Sequence, residues 1–165
     1  MDELADEALV KELCQKIRNN IAEIKKYITD FQSLLETYKE KKNLLNSALE
    51  SLDIAKKEYM NAKEELENNF GGNAAIRRIK SLDDIINAVT LQSSKIMNDK
   101  LPRVTNKVNN ITTKIETIES SISNVSQLSN RGELESLSVP ELESYVTHTT
   151  QTLEEIKKVN SLLQN

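Results

Sequence analysis

The sequence predicts an all-α fold. Apolar residues recur at spacings that alternate three and four over most of the chain, which keeps one stripe of a helix against a partner helix. Only two prolines and three glycines interrupt the 165 residues, tryptophan is absent, and charged residues make up 29%. That composition describes long helices around a core one side chain deep rather than stacked layers. The expected architecture is a long antiparallel helical hairpin of coiled-coil type. A shorter third helix turns one end into a three-helix bundle, and residues 1–165 form a single elongated domain.

The first helix is expected over residues 2–70. Its inner positions are Cys14, Ile17, Ile21, Ile24, Ile28, Phe31, Leu35, Tyr38, Lys42, Leu45, Leu49, Leu52, Lys56, Tyr59, Lys63, Leu66 and Phe70. At about 1.5 Å per residue this stripe would extend on the order of 85 Å, far beyond an ordinary globular helix. As far as Tyr38 every inner position is apolar, and Leu13, Tyr27 and Leu34 widen the stripe. A widened stripe suits a helix that touches two neighbours. Beyond Tyr38 the pattern changes: Lys42, Lys56 and Lys63 enter the stripe while Ala48, Ala55 and Ala62 line its flank. Small flanking residues admit a close two-helix approach, and lysine stems lie along such a seam with their ammonium groups in water. Gly71 and Gly72 follow as a stop signal, since glycine accepts the left-handed conformation of a helix end, and a turn over 71–73 is expected.

The second helix is expected over residues 74–129, with Ser81 and Asp84 as a candidate restart signal within it. Its stripe begins at Leu82, Ile85, Ile86, Val89 and Ile96, then settles into heptads at Met97, Leu101, Val104, Val108, Ile111, Ile115, Ile118, Ile122 and Val125. Pro102 removes a helix hydrogen bond, so a kinked but continuous helix is expected near Asn98–Pro102. The short glycine turn favours an antiparallel return, which brings Val108–Val125 beside Cys14–Tyr38. Ser129–Gly132 ends this repeat, and a loop over 130–137 follows. Ser138 as N-cap, Pro140 in the first turn and Glu141 closing a capping box open the third helix, residues 138–163. Leu142, Val146, Leu153, Ile156, Val159 and Leu163 are its inward positions, and it is long enough to cover only the nearer half of the hairpin.

Net charge is −4 with the two signs interspersed, so no basic face is set out for nucleic acid or for an anionic membrane. No run of about eighteen apolar residues is present, and Met1-Asp2-Glu3-Leu4 lacks the apolar core of a secretory signal. Cys14 is the sole cysteine, lies on the apolar stripe and reads as a buried structural thiol. An intracellular protein, cytoplasmic or nuclear, is expected. His148 is the single histidine and Tyr145 stands three residues before it, so not even one Glu-x-x-His pair of a di-iron bundle is present. There is no Gly-x-Gly-x-x-Gly, no P-loop and no nucleophile elbow. Neither enzyme activity, cofactor, metal nor small-molecule substrate is expected.

The candidate interaction residues are Leu44, Ile54 and Met60, which fall outside the seam on the thin part of the hairpin, and Arg77, Arg78 and Lys80, a basic cluster at its tip. Against the first stands ordinary scatter of exposed apolar groups; against the second, simple solvation of a turn. Thr105, Thr112, Thr113, Thr117, Ser120, Ser121, Ser123 and Ser126 form either a phosphorylatable or a merely solvated helix face. The e positions Arg18, Lys25, Gln32 and Lys39 do not complement the g positions Asn20, Tyr27, Leu34 and Lys41, which disfavours a parallel homodimer. Partners are therefore expected to be other helical chains in a hetero-oligomer. The implied function is a non-catalytic scaffold subunit of a larger assembly. In general plan, though in no specific residue, the chain resembles the small all-helical subunits of kinetochore, cytoskeletal-adaptor and vesicle-tethering complexes. The alternative is a viral or bacterial helical protein that self-assembles or binds a host factor, which the Asn-, Ile- and Lys-rich composition also fits.

Overall fold

The computed structural model describes residues 3–163, and among these no strand occurs. The chain is all-α: α1 spans Glu3–Asn69, α2 Asn73–Lys95, α3 Leu101–Asn130 and α4 Val139–Leu163. A π-helical turn, Ile96–Lys100, joins α2 to α3, and a 3-10 turn, Leu134–Ser136, precedes α4. The expected start at Asp2 lies outside the described residues.

Three local devices set the helix boundaries. Gly72 caps the start of α2 with φ 95° and ψ 177°, an extended positive-φ conformation that only glycine enters readily. Its role is thus to open α2 and not, as the sequence suggested, to close α1 in the left-handed region. That left-handed position is taken by Gly132, φ 69°, after α3. The Gly132 N–H donates to Ser129 O (3.1 Å) and the Glu133 N–H to Leu128 O (2.9 Å), the paired bonds of a Schellman motif. At the start of α4 the Glu141 N–H donates to Ser138 Oγ (3.3 Å), the serine half of the expected capping box. Ser81 starts no helix. Its hydroxyl donates to Arg77 O (3.1 Å) inside α2.

The π turn resolves the register of the middle of the chain. The heptads were expected to pass through Met97, but Met97 is 58% exposed and Ile96 is buried. The stripe therefore runs Val89, Ser93, Ile96, Leu101, Val104, with one spacing of five. The Leu101 N–H donates to Ile96 O, five residues back, so the wider turn absorbs the extra residue and returns Leu101 to the stripe. Pro102, which has no N–H, sits directly after this turn, and the backbone remains helical through it.

The described residues cluster into two compact units. The first comprises the described residues as far as Leu35 with those from Asn110 onward, the second Glu36–Asn109. In the first unit, α1, α3 and α4 share one mainly apolar core. Cys14, Ile17, Ile24, Phe31, Ile111, Leu134 and Leu142 are each 0% exposed. Leu13 is also buried, and Tyr27 packs tilted beside Phe31 with ring centroids 6.4 Å apart.

The second unit is built differently. Only Ala75 and Ile96 of its apolar residues are buried; Leu45, Leu49, Leu52, Leu66, Leu82, Ile86 and Val89 are half-buried. Facing residues run in opposite chain order: Lys107 lies over the Tyr38 ring (5.6 Å to its centroid), while Lys63 reaches Asp83 (2.7 Å). Besides Met97, three expected core positions fail here. Tyr59 is 36% exposed, Ile85 38% and Phe70 63%. Phe70 falls just past the last residue of α1, where the helix that carried the repeat has ended.

Candidate functional site

Within the first unit the polar groups are mutually satisfied, and no buried side-chain nitrogen or oxygen among the described residues lacks a partner. Thr149, 0% exposed, occupies a core position of α4 that the 3-4 count from Leu142, Val146 and Leu153 also marks. Its hydroxyl donates to Tyr145 O (2.8 Å) and accepts from Asn20 Nδ2 (3.0 Å), which also donates to Thr150 Oγ1 (3.1 Å). On the other side Ser121 Oγ lies 3.3 Å from Thr152 Oγ1, and Asn124 Nδ2 donates to Tyr145 Oη (3.1 Å). Sequence reasoning passed over Asn20, Thr149 and Thr152 because they are polar, although their spacing is that of the core.

Ser121 and His148 stand together, with Oγ and Nε2 3.3 Å apart. The same Nε2 lies 2.8 Å from the Ser121 carbonyl oxygen, which can only accept. Nε2 therefore carries the proton and cannot take one from the hydroxyl, so the pair is a helix-to-helix tie and not an activated nucleophile. Cys14 is enclosed, and burial pushes its thiol above the ordinary value, which works against thiolate reactivity.

Arg18 holds Glu135 of the 3-10 turn in a short ion pair, and this hydrogen bond keeps the Glu135 carboxyl below the usual glutamate range. A lowered folded-state pKa contributes stability above the unfolded glutamate value, and that contribution is lost as the pH falls through the folded value. The side chains are 36% and 46% exposed, so the effect is small. Arg18→Gln is expected to cost under about 1 kcal/mol at pH 7, with the difference vanishing at acidic pH. Urea titrations at neutral and acidic pH check this; an equal loss at both would mean that Arg18 acts by packing.

The second unit holds the six residues singled out from sequence, all exposed. Leu44 is 70% exposed, Ile54 59% and Met60 49%. They do not share a face. At about 100° per residue Ile54 points away from the seam, Met60 lies on one flank and Leu44 on the other. Arg77 and Lys80 share one side of α2, while Arg78 is turned by about 100° from Arg77. None of the three cations is in an ion pair among those described. Lys63 keeps its ammonium at the surface, where it meets Asp83, and this hydrogen bond raises its pKa.

Among the described residues no group of three His, Cys, Asp or Glu side chains is placed to hold a metal ion, and no helix is long and apolar enough to cross a membrane. No protein-family model, curated protein or solved structure matches the chain.

Proposed function

We propose that the chain is a non-catalytic scaffold subunit, a coiled-coil hairpin thickened to a three-helix bundle at one end, that joins other helical chains in a hetero-oligomeric intracellular assembly. One observation carries this reading: the two units differ in how they dispose of apolar surface. Among the described residues ten large hydrophobic side chains stand exposed, and all but Leu162 belong to residues 36–109. Of the nineteen buried hydrophobic residues among those described, only Ala75 and Ile96 do. Isolated exposed apolar groups are ordinary, but their concentration in the unit with the thinnest core supports a surface that is covered in an assembly. A kinetochore, cytoskeletal-adaptor or vesicle-tether setting would suit such a subunit.

Affinity purification of the full chain from its native source, with identification of co-purifying chains, tests the proposal. Companions that are lost when exposed apolar residues of the second unit are made polar are the expected result. Recovery of a stable lone monomer would count against it, and recovery of a pure homo-oligomer would favour the self-assembling alternative.

A further inference from the structure

The second unit carries a groove of about 430 Å³ whose floor and rim differ in chemistry. Leu44, Leu45 and Val104 make the floor; Lys41, Lys100 and Arg103 make the rim. Leu44 is the most exposed large apolar residue of this unit, so the floor is open to solvent. Lys100 is the last residue of the π turn and Arg103 follows at i+3, which places both on one side of the helix beside the floor. Charge around the groove departs from the rest of the chain. The lining of the groove holds the cations Lys41, Lys100 and Arg103 and no carboxylate, in a chain whose net charge is −4. Asp99 answers Arg103 (2.8 Å) and Glu36 answers Lys39 (3.7 Å). Lys41 and Lys107 rest over the Tyr38 ring, 4.8 and 5.6 Å from its centroid.

Resting on the scaffold reading, we infer that this groove docks an acidic amphipathic helix of a different protein chain. Such a helix would set apolar side chains at i, i+3 and i+7 onto Leu44, Leu45 and Val104 and bring Glu or Asp residues to Lys41 and Lys100. Leucine and valine give no ring on which a base could stack, which favours a peptide over nucleic acid. A two-fold contact centred on the groove would set the same cations against each other, which favours a foreign partner over a second copy. The π turn takes on a role here, since π turns recur where a helix departs from regularity for function.

The test uses the full-length chain and two labelled synthetic helices. One has Leu at i, i+3 and i+7 with Glu at the flanking positions; the other has Lys in place of every Glu. Fluorescence anisotropy should detect binding of the Glu helix alone. Leu44→Ser should weaken it at least tenfold. Lys100→Glu with Arg103→Glu should abolish it and confer binding of the Lys helix instead. Thermal melts should be unchanged, because these side chains are exposed. Equal binding of the Glu helix by the native chain and both variants, or no binding by any, overturns the inference. Displacement of the Glu helix by a lower concentration of oligouridylate overturns it in favour of nucleic acid. A dimer seen by sedimentation and lost in Leu44→Ser overturns it in favour of a second copy. Native companions that co-purify equally with Leu44→Ser would sink the groove while leaving the scaffold reading intact; a native chain without companions would strike the scaffold reading itself, and the peptide result would still decide the groove.

Discussion

Phe31→Ala is expected to remove about 3–5 kcal/mol of stability, a large part of what a chain of this size possesses. Phe31 is the largest of the fully enclosed side chains and lies where α1, α3 and α4 share their core, with the Tyr27 ring beside it. Truncation would lose the transfer energy of the ring and leave a cavity that interlocked isoleucines cannot readily fill. Ile24→Ala and Ile118→Ala should each cost about 2–5 kcal/mol for the same reason. Ile54→Ala, at a side chain 59% exposed, should stay within about 0.5 kcal/mol, and Ala55→Ser should likewise be mild. Urea midpoints of the full-length variants decide the matter. Comparable losses at Phe31 and Ile54 would contradict the contrast between the two units.

A pair of single-residue deletions should give a still sharper contrast. Removing Glu116 would turn every residue after it by about 100° relative to Ile111 and Ile115. Ile118, Ile122 and Val125 would leave the core together, and cooperative folding of the first unit should be lost. Removing Asn98 together with Pro102→Ala should be tolerated. That change shortens the spacing from Ile96 to Leu101 from five to four, which a regular α-helix accommodates with both residues on the stripe. The proline must go with it, because inside a regular helix it would cost about 3 kcal/mol. Circular dichroism melts are the readout. A folded Glu116 deletion, or an unfolded Asn98 deletion in the Pro102→Ala background, would refute the register described for α2 and α3.

The helical class was legible because burial in a thin helical core is set by position along the stripe, and the stripe from Cys14 to Phe31 is enclosed at every inner position. Three things escaped that reading, each for a physical reason. Counting by three and four assumes regular helical turns, so the wider turn at Ile96–Lys100 moved the inner residue from Met97 to Ile96; the spacing of five to Leu101 was the available signal. Polar side chains were read as solvent-facing, so Thr149 was overlooked at a core position where its hydroxyl is satisfied by the preceding turn and by Asn20. The exposure of Leu44, Ile54 and Met60 outside the seam was legible, since the stripe itself excludes those positions. The cationic rim around Leu44 needed two segments far apart in sequence, and no local pattern announces such a juxtaposition.

α1 runs without interruption from Glu3 to Asn69 and so contributes to both units as one helix. Beginning a helix is the unfavourable step, whereas each added residue gains a hydrogen bond for the dihedrals it fixes. Residues 36–69 therefore require no nucleation of their own; they propagate a helix whose earlier turns are clamped by Ile17, Ile24 and Phe31. Amide exchange should quicken toward Asn69, as fraying travels inward from that end. An incoming helix would nonetheless meet a stretch already wound, with most of its backbone entropy surrendered during folding and not at the moment of encounter.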